Sequence, residues 1–360
     1  MKIKTELLQN IVTKAIQGAS NNKMIPLTSL IGIEFKEDNL GGKGNLILIT
    51  TDGSNIFKIN QEVEGNGEFY TIVNADTFAK LVSKTTKEFI ELENKENYLE
   101  VNGNGTYKLE IAINEEGEMV KFPDIKDGGT ELAVNLKDLQ EAIKVAKASV
   151  AKTMEVPCLT GYYIGKNIIT TDRQLVCKFD KELITEPILI SSEMAELLLL
   201  VEGDEILELL KDNNNLIFYN ANYTISGKEL EGKDIYPVQP IENLTKLDYT
   251  NTIKVDREEL LNVLDRMDLF VGDYDNGGIK LVFTKEALLV KSQKSNAQEL
   301  IDAECTGEEE YNCLVNIEML KSQLEVISTD KVEIQYGQDK SIKLVDGNVI
   351  HIISLLEEEK

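Results

Sequence analysis

Tryptophan is absent from the 360-residue chain, and histidine occurs once, at His351. A histidine-assisted nucleophile therefore has a single candidate base, and a zinc site built from imidazoles has almost no supply. The four cysteines, Cys158, Cys177, Cys305 and Cys313, show no C-x-x-C spacing. That excludes ribbon-type zinc sites and dithiol redox motifs and predicts reduced, mostly buried thiols. No apolar run reaches the length of a membrane-spanning helix, and "MKIKTELLQN" lacks the apolar centre and small-residue cleavage site of a secretion signal. A cytoplasmic protein is expected, with no cofactor and no metal. Positive charge is also scarce: 38 Lys plus Arg, only three of them arginine, face 63 Asp plus Glu, for a net charge of −25. Such a balance favours solubility and argues against a surface that coats nucleic acid indiscriminately.

What the chain does have is repetition. "LILITTDGSNIFKIN" (Leu46–Asn60) returns as "NIITTDRQLVCKFD" (Asn167–Asp180), with the same Thr-Thr-Asp turn about one third of the chain further on. "IKTELLQNIVTKA" (Ile3–Ala15) likewise aligns with "VNLKDLQEAIKVA" (Val134–Ala146) and "VDREELLNVLDRM" (Val255–Met267). Each reads as a short strand followed by an amphipathic helix, with stripes Leu8, Val12, Ala15; Leu139, Ile143, Ala146; and Leu260, Leu264, Met267. Thr5, Asn135 and Asp256 stand at helix-capping positions. A second element also recurs three times, in "TIVNADTFAKLVSKTTKEFIEL", "PILISSEMAELLLLVEGDEILEL" and "NCLVNIEMLKSQLEVISTDKVEIQ", with Asn74, Ser191 and Asn316 as caps. Alternating strands with Gly, Asn and Asp turns follow both elements, so each third is expected to hold two helices and about eight strands. Turn-forming residues cluster in "FPDIKDGGTELAV" and "YPVQPIENLTKLDYTN", which predicts domains at 1–126, 127–246 and 247–360. Helices laid on mainly antiparallel sheets make the class α+β.

The order and spacing of these pieces resemble the bacterial DNA sliding clamp, the beta subunit of DNA polymerase III, over essentially the whole chain. The resemblance is carried by "MKIKTELLQNIVTKAI", "IPLTSLIGIEF", both Thr-Thr-Asp turns and "MVKFPDI". It implies a DNA clamp fold of three similar domains, each of two βαβββ units, and a head-to-tail homodimeric ring around duplex DNA. The implied role is a non-catalytic processivity factor that binds a replicative polymerase, a clamp loader and other clamp-binding peptides. Twelve helices at roughly 9 Å between axes would enclose a circle about 34 Å across and leave about 25 Å open, enough for duplex DNA about 20 Å wide. A threaded ring needs no tight grip, and screening over about 8 Å leaves the local sign of the inner helices more important than the total charge. Lys14, Asn22, Lys23, Lys80, Lys84, Lys144, Lys147 and Lys152 are the expected DNA-facing residues, and the helix bearing Glu193, Glu196 and Glu202 is expected to break the positive lining.

The resemblance further implies a partner-peptide pocket at Thr170, Asp172, Leu175, Val238, Pro240, Ile352, Ile353, Ser354 and Leu355, and a ring joint between Tyr107 and Leu109 on one copy and Leu269 and Phe270 on the other. Two departures point to a divergent or mobile-element version with altered peptide specificity: "TTDRQL" lacks the family's glycine and is one residue shorter than the family's turn, and the tail "SLLEEEK" is acidic. The rival readings are an enzyme and a clamp-fold scaffold that does not encircle DNA. Glycine-rich "GGKGN" and "GNGTYKLE" sit between strands, so they make hairpins rather than a phosphate cradle, and no pair of carboxylates is brought together by pattern.

Overall fold

The computed structural model describes all residues except 39–40, 126–127, 204, 273–275, 307–309, 339 and 358–360. The expected boundary at 126/127 and the last three tail residues therefore lie outside the described residues. Six βαβββ runs follow one another along the chain. The first is Lys2–Lys4, helix Thr5–Ala15, then strands Leu30–Glu37, Lys43–Thr51 and Ile56–Glu64; the second is Glu68–Asn74, helix Ala75–Ser83, then Phe89–Asn94, Tyr98–Asn102 and Thr106–Glu110. The middle third repeats the order with helices Leu136–Ala146 and Ser192–Leu198, and the last third with helices Arg257–Asp268 and Ile317–Val326.

The elements gather into two compact units, Met1–Lys137 with Glu193–Glu229, and Asp138–Ser192 with Leu230–Lys360. The first unit holds one twelve-stranded sheet, in which strand Ile56–Glu64 pairs antiparallel with Tyr223–Lys228, Phe57 opposite Ile225. The second holds a nine-stranded and a four-stranded sheet. In the nine-stranded one, Leu175–Phe179 pairs with Val349–Ser354, Leu175 opposite Ile353 and Val176 opposite Ile352.

The helical stripes read from the sequence face inward. Leu8, Val12 and Ala15 are buried, as are Leu139, Ile143 and Ala146, and Leu260, Leu264 and Met267. Each fully buried leucine contributes about 1.5–3 kcal/mol of apolar transfer. Three caps form as expected: Asp256 accepts from the Glu259 N–H at 2.8 Å, Asn74 from Thr77 at 2.9 Å and Asn316 from Met319 at 3.0 Å. Thr5 does not cap. It is the first helical residue, and its Oγ1 donates instead to the Lys87 carbonyl at 2.5 Å, tying the helix to the turn before strand Phe89–Asn94. The segment "YPVQPIENLTKLDYTN" also departs from expectation, because Val238–Thr245 is a helix. Pro240 falls within its first turn, where a missing N–H costs no intrahelical bond. The third copy lacks Thr-Thr-Asp yet keeps its hairpin, Ala287–Ser292 pairing with Gln298–Asp302.

Candidate functional site

The two Thr-Thr-Asp turns are built by the same bonds. Thr50 Oγ1 donates to the Ala15 carbonyl at 2.7 Å and Thr170 Oγ1 to Ala146 at 2.8 Å, so each turn ties off the helix that precedes it. Thr51 and Thr171 close the hairpins by donating to the carbonyls of Asn55 and Leu175 at 2.6 and 2.7 Å. Asp52 Oδ1 accepts from the N–H groups of Ser54 and Asn55, and Asp172 Oδ1 from those of Gln174 and Leu175. One position differs. Gly53 has φ +98°, where glycine is at ease, whereas its counterpart Arg173 has φ +83°. A side chain there costs about 1–2 kcal/mol. Arg173 Nη2 meets Glu155 Oε2 at 2.5 Å, but both side chains are more than 60% exposed, and such pairs return only about 0.2–1 kcal/mol.

Beside the second turn lies a groove of about 630 Å³. One wall comes from the segment after helix Leu136–Ala146, with Lys147, Ala151, Lys152, Glu155 and Val156, and from the turn itself. The other is helix Ile317–Val326, presenting Glu318, Met319, Ser322, Glu325 and Val326, with its cap Asn316. Leu159 and Leu175 supply buried apolar surface.

Of the expected pocket residues, Asp172 and Leu175 line this groove. Thr170, Ile352 and Ile353 are buried around the strand pair behind it, and the Ser354 N–H donates to the Gln174 carbonyl at 2.9 Å. Leu355 is half-buried against the same core cluster as Leu175. Val238 packs on the apolar cluster containing Ile352, while Pro240 is exposed on its helix. Lys147 and Lys152, expected to face DNA, stand on the groove wall. Sequence reasoning missed the helix wall; the available signal was an apolar residue, Met319, off the buried Ile317, Leu320 and Leu324 stripe, which marks an incompletely covered apolar side chain but not its partner.

Behind the groove, His351 is fully buried. Its Nδ1 lies 2.7 Å from Gln323 Oε1, which also accepts from Ser149 Oγ at 3.1 Å, so the ring proton belongs on Nδ1. Nε2 is buried with no hydrogen-bond partner among the described residues. Burial lowers the histidine pKa to about 4, against the attraction of Asp346. Burial likewise pushes the Cys177 thiol up, and that of Cys313 up to about 12. Such thiols are poor nucleophiles. Among the described residues no group of three His, Cys, Asp or Glu is placed to hold a metal ion, and no helix is long and apolar enough to cross a membrane.

The other expected DNA-facing residues differ in their surroundings. Lys14 is mostly covered, binds Glu202 at 2.6 Å and donates to the Tyr223 hydroxyl at 3.1 Å. Burial works against its charge, but these partners outweigh it and hold its pKa above the usual lysine value. Lys80 pairs with Asp76 one turn earlier at 2.6 Å. Asn22, Lys23, Lys84 and Lys144 are exposed, Lys80 and Lys84 on the side away from buried Phe78 and Val82.

Two sheet ends carry exposed apolar side chains. Strand Thr106–Glu110, with Tyr107 40% exposed and Leu109 half-buried, ends the twelve-stranded sheet. Strand Gln298–Asp302, with Leu300 61% exposed, ends the four-stranded sheet. Leu269 and Phe270, just past helix Arg257–Asp268, are exposed as well.

This architecture is the DNA sliding-clamp fold. The chain is similar to the DNA polymerase III subunit beta of Borrelia burgdorferi (20% identity, TM-score 0.87), to the DNA polymerase III beta subunit of Thermotoga maritima (16%, 0.84) and to the DNA polymerase sliding clamp of Bacillus subtilis (17%, 0.83), in each case over 99% of both chains. No protein-family model and no curated protein sequence matches it significantly.

Proposed function

We propose that the protein is a sliding clamp, a cytoplasmic, non-catalytic processivity factor. In this reading it has three domains, 1–126, 127–246 and 247–360, and closes as a head-to-tail homodimer around duplex DNA. It tethers the replicative polymerase and other partners through peptides and is placed on DNA by a clamp loader.

One observation carries the ring. Within the chain, the last strand of the middle third pairs with the final strand of the opening βαβββ run, Tyr223–Lys228 with Ile56–Glu64. The last third repeats the rule on the middle third, Val349–Ser354 with Leu175–Phe179. The same rule assigns Gln298–Asp302 a partner equivalent to Thr106–Glu110, and each of these two strands lies at one end of its sheet. Unprotected edges with apolar side chains are templates for another strand. Joining Thr106–Glu110 of one copy to Gln298–Asp302 of the next is a heterologous contact, which closes if the rotation per copy is a half-turn. Exposed Tyr107, Leu269, Phe270 and Leu300 supply the apolar seal.

The net charge of −25 is compatible with this role because a closed ring is retained by linkage, with Lys23, Lys84 and Lys144 offering local contacts to phosphates. The groove beside Asp172 and Leu175 suits an extended peptide with a few apolar anchors. A second reading, a clamp-fold scaffold that does not encircle DNA, draws on Glu202, which neutralises Lys14.

Loading onto nicked circular DNA by an ATP-driven loader separates the two. The clamp is expected to co-elute with the circle and to be lost on linearisation, and the pair Phe270→Asp with Leu300→Lys to give monomers that are not retained. Retention indifferent to linearisation, or a native chain monomeric at micromolar concentration, would refute the ring.

A further inference from the structure

We infer that Arg173 makes the groove selective for a partner peptide that carries a carboxylate beside its apolar anchor. The inference deepens the reading of the groove as the docking site and rests on it.

The hairpin itself has no need of this side chain. Gly53 closes the sister turn with the same set of bonds and without strain at its positive φ, so arginine at φ +83° works against the local backbone. Among the described residues it pairs with Glu155, and that pair, exposed on both sides, is a weak return for the strain. Strain retained where a cheaper residue exists points to use of the side chain. Here it is a planar guanidinium on the wall of a concave, partly apolar groove.

The groove is also polarised. Arg173, Lys147 and Lys152 stand on the turn side, and Glu318 and Glu325 on the helix side. Two acids share the turn side: Glu155 is the partner of Arg173, and Asp172 Oδ1 already accepts from two backbone N–H groups of the turn. A peptide carboxylate that displaces Glu155 exchanges an exposed pair for one shielded by the peptide, and the guanidinium fork can meet it with two parallel bonds. Val156, Leu159, Leu175, Met319 and Val326 receive the anchor, with methionine adapting to its shape.

The test uses the full-length protein and fluorescein-labelled synthetic nonapeptides that carry two adjacent leucines followed by glutamate, glutamine or lysine, read by fluorescence anisotropy. The glutamate peptide is expected to bind at least tenfold more tightly than the glutamine peptide. Arg173→Gly should abolish that preference and leave the melting temperature no lower. Arg173→Glu should turn the preference to lysine, a reversal that no purely structural role would produce. Equal binding of the glutamate and glutamine peptides to the native chain would overturn the role of Arg173 and leave the groove standing. Binding untouched by Met319→Lys, or no binding of any peptide at millimolar concentration, would overturn the groove and this inference together.

Discussion

The turns at Thr50–Asn55 and Thr170–Leu175 share the threonine and backbone bonds that close them, yet they differ in the residue that ends them. The first ends in Asn55, a buried polar residue whose Nδ2 donates back to Asp52 at 2.8 Å. The second ends in Leu175, buried in a core cluster with residues of the last third such as Ile253, Leu264 and Ile353. A duplicated hairpin thus kept its closing bonds while the side chains it projects were free to change. What diverged in the second copy is what borders the groove.

The largest test of this difference is truncation at the equivalent positions. Leu175→Ala should cost about 2–5 kcal/mol in urea unfolding, since it opens a cavity in a packed cluster. Asn55→Ala should cost about 1 kcal/mol, the value of one hydrogen bond. Equal losses would mean that the second turn is no more deeply built in than the first.

Acid separates the two units next, because the first contains no histidine and the second contains His351. With a folded pKa of about 4 against an unfolded value of about 6.5, the unfolded chain binds the extra proton between those limits. The neutral ring therefore contributes its full stability, about 3 kcal/mol, above pH about 6.5, and the contribution drains away as pH falls towards 4. Unfolding free energies measured across that window should slope in the native protein, and His351→Leu should flatten the slope by that amount. An unchanged slope would mean that the ring titrates alike in both states.

The finest test exchanges the residues at positive φ. Gly53→Arg should lose about 1–2 kcal/mol, and more if Ile25 cannot yield, since a Cβ there would lie 3.1 Å from its Cδ1. Arg173→Gly should be neutral or gain up to about 1 kcal/mol, partly offset by the greater freedom of glycine in the unfolded chain. A clear loss at Arg173→Gly in thermal unfolding would show that the arginine supports the fold.

The sequence made legible what local pattern encodes. Stripes such as Leu8, Val12 and Ala15 fix which helix face is covered, the Asn74 and Asp256 caps mark helix starts, and the Thr-Thr-Asp repeat marks the duplication. Pairing between thirds was not legible, because an alternating strand such as Tyr223–Lys228 declares its faces but not its neighbour. Nor was the pairing of Lys14 with Glu202, since both read as solvated charges in their own helical segments. The groove suffered most. Its second wall comes from helix Ile317–Val326, and nothing in the period of that helix says which distant turn its exposed residues oppose. Thr5 shows the same limit at the scale of one hydroxyl, whose partner lies on the turn at Lys87.

If the chain closes as proposed, the strand-pairing rule also says where the hoop would part. Four of the six seams in a two-copy annulus are bridged by the polypeptide itself, so prying them apart leaves the band unbroken. In the proposed ring only the two places where Thr106–Glu110 would meet Gln298–Asp302 could act as a gate, each closed by a few backbone bonds and a small greasy clasp. On that proposal, a machine that mounts the band on its track would need to undo only one short zipper.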